Sequence, residues 1–329
     1  MLEHPDFRKS LEPFIKNKEI EFHGEFGSGT AKLNMVTTNA EEALRDSSII
    51  ILTAPAYAHE PLVKLCTPHL RDGQIFLIKT GYFGALRFCK TIKDTGKKIT
   101  MAEMNITPYC VRKTASNKIF VYAKKKNIAL AAMPTNEIAK VFDLIKAVYP
   151  DLILVKNVLY TSLDCANWLI HPITTLLHQG LIERSKHYSL PHKDSIPPSV
   201  LNLMEIMDKE RIGLGKVFGL NIPTLNNFWE SGGKTIGEAI RKCVEHELYS
   251  YEYEDAWMKH LDEDLYYGLP TWSSLAKLVN VPTPLTDAII TIFSYIAGVD
   301  YMKEGITVEK IGLTGLSIKE INKILEEGF

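Results

Sequence analysis

The chain has 329 residues, of which 46% are hydrophobic and 23% charged, so it is long enough to bury a large core and matches the length of two domains. Acids and bases nearly balance, with 39 Asp and Glu against 38 Lys and Arg. They are also interleaved, so no basic face argues for nucleic acid and no polybasic segment for a membrane surface, which leaves a small molecule as the expected partner.

From Met1 to about Lys156, short β-branched runs alternate with helical patterns, which predicts a mostly parallel sheet of the doubly wound α/β kind over residues 1–157. At the front, Met1-Leu2-Glu3-His4-Pro5 reads as the tail of a strand, and Glu3 is placed to accept ribose hydroxyls of a dinucleotide, with a terminal acid of no consequence as the plain alternative. The glycines of GEFGSG at 24–29 are in the wrong order for a pyrophosphate-binding turn and follow no evident strand. A dinucleotide fold opens with a strand, a glycine-rich turn and a helix, and the expectation is that these precede Leu2 by about 25 to 30 residues.

LNMV at 33–36 is predicted as a strand. Asn39 with Glu42 predicts a capping box before the helix AEEALRD. SSIIILTAPA at 47–56 has consecutive apolar residues and is expected to be a central strand covered on both faces. Its exit, Thr53-Ala54-Pro55-Ala56, is small enough for a planar ligand to approach the backbone, and Ala58-His59-Glu60 is read as the start of the next helix. QIFLIKTG at 74–81 and KITMAEM at 98–104 are further strands. The first ends in Thr80-Gly81-Tyr82-Phe83-Gly84, a loose phosphate-cradle signal, and the second runs into a polar connection containing Asn105. IFVYA, IALAAMP and LILVKN are expected to finish the same sheet.

Residues 158–329 shift to helical patterns broken by prolines and predict an all-α domain. Leu159, Leu163, Ala166, Ile170, Ile173 and Leu177 form an apolar seam on one long helix from Leu159 to Gly180. One residue on, Tyr160, Asp164, Asn167, His171, Thr174 and His178 form a polar stripe rotated by about 100°. Pro172 predicts a kink at His171, and Gly180 the end of the helix. His171 beside a kink is a candidate for chemistry; a histidine satisfied by a neighbour is the alternative. Asp208 and Arg211 are spaced to pair on a helix surface. The run from Lys259 to Asp264 reads as a charged helix end.

The five cysteines, Cys66, Cys89, Cys110, Cys165 and Cys243, are odd in number and never spaced as CxxC, against both a disulfide framework and a zinc site. MLEHPDFRK has no apolar leader, and the longest apolar run, Ala288 to Ala297, is short for a membrane span. A cytoplasmic location is expected.

In order along the chain, EHPDFRKSLEPF, TAPAYAHEP, TGYFGAL, AEMNITPYCVRK, TSLDCANWLIHPITTLLHQGLIE, MDKERIGLGKVFG, HLDEDLYYGLP and VPTPLTDAIITIFSYIAG resemble the opine dehydrogenases, the octopine and nopaline dehydrogenase-like enzymes. That resemblance implies a Rossmann-like domain, N-terminally incomplete, over 1–157 and a helical catalytic domain over 158–329. It also implies NAD or NADP as cofactor, with reductive condensation of an amino acid with a 2-oxo acid such as pyruvate between the domains. By it, His171 matches the family's catalytic histidine and Asp264 its acidic partner, while Lys259, Asn167 and Asn105 fall among substrate-binding positions. Glu3, Thr53, Ala54, Pro55, Ala56, Thr80, Gly81 and Gly84 fall to the cofactor. Lys259 stands where the family commonly has arginine, and a lysine offers a point charge in place of a planar fork. PYCVR departs from the family's PYACR order, so no role passes to Cys110. A homodimer is allowed. A ketopantoate reductase-like acid reductase and a shortened remnant that only binds small molecules are the alternatives.

Overall fold

The computed structural model describes residues 1–184, 196–228, 233–242 and 261–329. Contacts divide the chain into two compact units, Met1–Val158 with Glu326–Phe329, and Leu159–Leu325.

The first unit carries two sheets. Strands β1 (Glu19–Gly24) and β2 (Gly29–Lys32) form an antiparallel pair, and later β6 (Tyr109–Ala115) and β7 (Lys118–Lys124) extend it to a four-stranded sheet in the order β2-β1-β7-β6. The main sheet has β3 (Ile49–Leu52), β4 (Ile75–Lys79), β5 (Thr100–Met104), β8 (Ile128–Met133) and β9 (Leu152–Leu154) in that spatial order. β3, β4 and β5 run parallel, and β8 is antiparallel to β5.

Helices α1 (Glu12–Ile15), α2 (Ala40–Leu44), α3 (Ala56–Cys66), α4 (Gly84–Lys93) and α5 (Ile138–Lys146) complete the unit. Side chains alternate across the main sheet. Ile75, Leu77, Ala102 and Met104 therefore share one face and pack with Val141 and Ile145 of α5, while Ile78 meets α4 on the other. The chain is thus α/β with a mostly parallel main sheet.

Four expectations change here. LNMV is not a strand; the neighbouring Thr37 instead makes a single parallel bridge to Leu2. IFVYA falls in β7 of the smaller sheet, because β6 and β7 form a hairpin that leaves the main sheet after β5. GEFGSG does follow a strand, but it leads into an antiparallel strand rather than a helix, so it is a hairpin turn with Gly24 at φ 140° and Gly27 at φ 94°. The SSIIILTAPA strand stands at one end of the sheet order and is half-buried, because only β4 pairs with it.

The second unit is helical. It contains α6 (Val158–Leu163), α7 (Asn167–Arg184), α8 (Pro198–Val217), α9 (Leu225–Phe228) and α10 (Ile236–Lys242). A π-helical turn, Asp264–Gly268, then leads into α11 (Leu269–Leu278), followed by α12 (Pro284–Ala297), α13 (Tyr301–Glu304) and α14 (Ile318–Glu327).

The predicted helix from Leu159 to Gly180 is two helices, interrupted at Asp164–Ala166. α7 runs unbroken through Pro172, which falls in its second turn, and continues past Gly180 to Arg184. Proline's fixed φ of about −65° is itself helical, so the ring costs one hydrogen bond without ending the helix. The seam is buried from Leu159 to Ile173, but Leu177 is 47% exposed.

Asp208 and Arg211 are not a surface pair, at 4% and 2% exposure. The guanidinium donates to Asp208 Oδ1 at 2.9 and 2.6 Å and to the carbonyls of Leu163 at 2.9 Å and Pro223 at 2.5 Å. Asp208 Oδ2 accepts the Leu225 N–H at 2.9 Å. Such saturation is what permits a charge to be buried. Between them in sequence, Glu210 caps the start of α12, accepting the N–H groups of Leu285 and Thr286 at 2.8 and 3.1 Å and the Thr286 hydroxyl at 2.7 Å.

Candidate active site

In the first unit, a groove of about 620 Å³ follows the edge of β3. Met1, Leu2 and Glu3 line one side and Ile49 to Pro55 the other, with Tyr57 and Ala58 of α3 at one end. The stretch at Met1–Glu3 is held in an extended register by Glu3 N–H to Thr37 O and Thr37 N–H to Met1 O, at 3.2 and 3.0 Å. Glu3 Oε1 accepts the His4 N–H at 2.8 Å, which leaves acceptor capacity on a carboxylate with about four lone-pair sites. Thr53, Ala54 and Pro55 line the groove as the exit of β3, whereas Ala56, the first residue of α3, is buried. His59, read as part of the next helix's start, sits one turn into it, and its Nε2–H donates to the Ala54 carbonyl at 2.9 Å.

Thr80, Gly81 and Gly84 do not line that groove. The turn holding them is strongly left-handed, with φ 63° at Thr80, 44° at Tyr82 and 57° at Phe83. A Cβ at Gly81 would overlap the carboxylate of Glu103, which is fully buried and accepts the Ala85 N–H at 3.0 Å as α4 begins. A Cβ at Gly84 would lie 2.9 Å from Ile78 Cδ1. Both glycines make room for packing. The sequence signal for this was a lone acid in the apolar strand TMAEM, since a buried carboxylate must find a donor. Asn105 is 5% exposed, and its Oδ1 accepts the Ala129 N–H at 3.0 Å, tying the end of β5 to β8.

In the second unit, His171 of α7 and Asp264 of the π turn meet, with Nδ1 2.9 Å from Oδ2. The carboxylate is completely buried while the imidazole side chain is 19% exposed, so the pair has a dry end and a wet end. A carboxylate only accepts, which places the shared proton on Nδ1 and leaves Nε2 as the nitrogen turned away from Asp264.

Cys165, in the break between α6 and α7, lies close enough to feel the Asp264 charge. Burial first, and the Asp264 charge second, push its thiol well above the ordinary cysteine range, so it stays protonated and is no nucleophile. Tyr160 is raised to about 12, by burial and then by the Asp164 charge, and cannot act as a base near neutral pH. Asn167 opens α7 one turn before His171 and is half-buried. His178 donates Nδ1–H to the Thr174 carbonyl at 2.8 Å, an ordinary bond one turn back along the helix. Lys259 lies outside the described residues, as does Cys243. Among the described residues no cluster of His, Cys, Asp and Glu could hold a metal, and no helix is long and apolar enough to cross a membrane.

Residues 154–297 match the family model described as NAD/NADP octopine/nopaline dehydrogenase, alpha-helical domain. The chain is 31% identical over 305 residues to an opine dehydrogenase of Arthrobacter sp. (strain 1C), an alignment covering 91% of this chain and 84% of that protein. Its fold is similar to that of octopine dehydrogenase solved with NADH and L-arginine, with a TM-score of 0.76 and 15% identity over 97% of this chain and 88% of that one. A more distant similarity links it to 2-dehydropantoate 2-reductase from Geobacter metallireducens GS-15, with a TM-score of 0.60 and 11% identity over 84% of this chain and 86% of that one.

Proposed function

The chain belongs to the opine dehydrogenase family and is an NAD(P)-dependent oxidoreductase acting on CH–NH bonds, and on that premise we propose that His171 is its proton donor and acceptor, with Asp264 as the residue that orients it. The observation that carries this is the 2.9 Å contact between Nδ1 and a carboxylate with no solvent exposure, on an imidazole that still reaches the surface.

In opine formation an amine adds to the carbonyl of a 2-oxo acid, water leaves, and the resulting imine is reduced. The cofactor, when bound, supplies the hydride. Departure of the hydroxyl as water needs a proton, and the amine must lose one to attack. An imidazole whose Nδ1–H is engaged by Asp264 can give and take that proton at Nε2 without changing tautomer unproductively. The buried carboxylate also stabilises the imidazolium formed in the acceptor step. Asn167, one turn before His171, is the polar side chain we assign to the substrate.

The groove along β3 fits the nucleoside parts of NAD(P). Glu3 would accept ribose hydroxyls, and the small residues Thr53, Ala54 and Pro55 would lie against a flat ring. Among the described residues no lysine or arginine lines the groove, so the phosphates would draw on backbone amides, such as those at the start of the eleven-residue α3, and on hydroxyls such as that of Thr53. An acid at position 3 favours a free 2′-hydroxyl over a 2′-phosphate, and we assign NADH as the preferred form. We place residues 1–157 as the cofactor domain, 158–329 as the catalytic domain, and the enzyme in the cytoplasm, where its buried free cysteines would stay reduced. The relatives support pyruvate as the 2-oxo acid and a cationic amino acid as its partner, since solved octopine dehydrogenases are described with pyruvate and with L-arginine.

The test is NADH oxidation with pyruvate, with and without a panel of amino acids. Turnover that depends on the amino acid and falls by roughly 10²-fold or more in His171→Ala, with NADH affinity within a few-fold, is expected. Amine-independent reduction of the acid would sink the opine reading, and unchanged turnover in His171→Ala would sink the assignment of the histidine.

A further inference from the structure

The His171–Asp264 contact joins two segments that approach each other at a second point. Trp168 precedes His171 by three residues and Gly268 follows Asp264 by four, so each pair shares one face of its own helical segment. The two contacts stack about one turn apart. At Gly268 a Cβ would lie 2.6 Å from Nε1, 2.9 Å from Cε2 and 3.1 Å from Cδ1 of the Trp168 indole.

That indole cannot step aside. It has no solvent exposure, and its ring lies 6.2 Å from that of Trp272, also fully buried. Nor does the glycine hold a positive φ: φ is −111° and ψ is −76°. Its missing side chain matters only for space.

The segment that carries Asp264 is held in register by more than this contact. Leu269 N–H bonds back five residues to the Asp264 carbonyl, the mark of the π turn. The Tyr266 carbonyl accepts the Ile306 N–H at 2.6 Å, and the Thr271 hydroxyl donates to the Ile306 carbonyl at 2.7 Å. Tyr266 also packs edge-on against Tyr301, ring centres 4.9 Å apart. The turn is clamped on its outer side, so what fixes its distance from α7 is the surface it presents inward, and there it presents a bare Cα.

We propose that Gly268 is a positioning residue for the His171–Asp264 pair: its lack of a side chain seats the π turn against the Trp168 indole, and that seat sets the Asp264 carboxylate within hydrogen-bond range of Nδ1. This rests on the catalytic reading of the pair only for its effect on turnover. The geometric claim stands or falls separately.

Proton NMR of the 329-residue chain reads the geometry directly, because a hydrogen-bonded Nδ1–H gives a low-field resonance that His171→Gln must lack. In Gly268→Ala that resonance is expected to vanish while the rest of the spectrum stays folded, with turnover down by roughly 10- to 100-fold, the scale of a misplaced catalytic group. Trp168→Phe removes the pyrrole edge that meets Gly268 and should keep the resonance. The double variant, Gly268→Ala with Trp168→Phe, should regain both resonance and turnover, since the added methyl then has room. A resonance that survives in Gly268→Ala overturns the proposal, as does a double variant that behaves as the sum of its parts. Should Gly268→Ala fail to fold, the double variant decides: folded with the resonance supports the seat, and unfolded or without it refutes it. A resonance that follows these expectations while turnover ignores them upholds the positioning and refutes the catalytic reading instead.

Discussion

Among the described residues of the helical unit, two buried acid–base pairs, Arg211 with Asp208 and His171 with Asp264, have been built to opposite ends. Arg211 with Asp208 is closed: the side chains are 3% and 6% exposed, and the guanidinium is spent on Asp208 and two backbone carbonyls, with the buried Asp164 carboxylate 3.6 Å away. Asp208 spends its other oxygen on the Leu225 N–H. His171 with Asp264 is closed on one side only, with the carboxylate sealed and the imidazole 19% exposed. A charge whose bonds are all made within the protein stabilises a particular chain path and has nothing to offer a ligand. A pair with one wet face keeps a proton available, so exposure at one end separates chemistry from architecture better than burial or residue type does.

That contrast can be broken most forcefully at Arg211. Arg211→Met strands Asp208, Asp164 and two carbonyls, and breaking a buried pair costs about 3 to 5 kcal/mol. Urea unfolding followed by circular dichroism should show that loss in the midpoint. A loss below about 1 kcal/mol would mean that the closed pair is as dispensable to the fold as a surface one. His171→Ala also strands a sealed carboxylate, so it too should lower the unfolding midpoint, and what sets it apart is the roughly hundredfold or larger fall in turnover described above.

Asp264→Asn sharpens the comparison from the acid's side. It keeps the volume but removes the charge that holds the Nδ1 tautomer, so kcat should fall by roughly tenfold or more with KM for the amino acid little changed. Unaltered kcat would make another group responsible for orienting the histidine. Glu210→Gln tests a third acid that serves backbone amides at the start of α12. Glutamine keeps only one of the two acceptor oxygens and sets an NH2 against a backbone N–H, so a loss of about 1 to 3 kcal/mol is expected, which thermal unfolding can measure. The smallest effect is expected at Lys259, where Lys259→Arg should lower KM for the 2-oxo acid a few-fold if a planar fork there grips the carboxylate. An unmoved KM removes Lys259 from the substrate.

Much of this organisation was legible in the chain. The switch from strand-and-helix alternation to pure helix near residue 157, the buried seam from Leu159 to Ile173, and the strands at 75–79 and 100–104 all follow from apolar periodicity, which is local. Asp264 could be attached to His171 only through the resemblance to a family, since 93 residues separate them and no spacing rule spans that distance.

The errors have a common cause in tertiary partners. The run from Leu159 to Gly180 looked like one helix because apolar periodicity is read against an isolated helix, whereas the chain breaks where Asp164 and Cys165 are buried. At Gly81 and Gly84, likewise, the sequence does not say that Glu103 and Ile78 stand where a Cβ would go, a packing role that the glycines have beside the cofactor role expected of them. Asp208 and Arg211 had the spacing of a surface pair, and only the positions of Leu163, Pro223 and Leu225 around them turn that spacing into a core feature.

Over four residues α8 fastens pieces of chain that are otherwise far apart: the end of α6 through Leu163, the approach to α9 through Pro223 and Leu225, and the start of α12 through Leu285 and Thr286. Elements tied to one helix by buried bonds cannot let go of it one at a time without stranding a charge. Amide hydrogen exchange should therefore find the Leu225, Leu285 and Thr286 amides opening together with the middle of α8, in one cooperative event near the global unfolding free energy of the unit. The exposed ends of α12 and α13 should exchange earlier and independently, which would make α8 the last helix of this unit to be released.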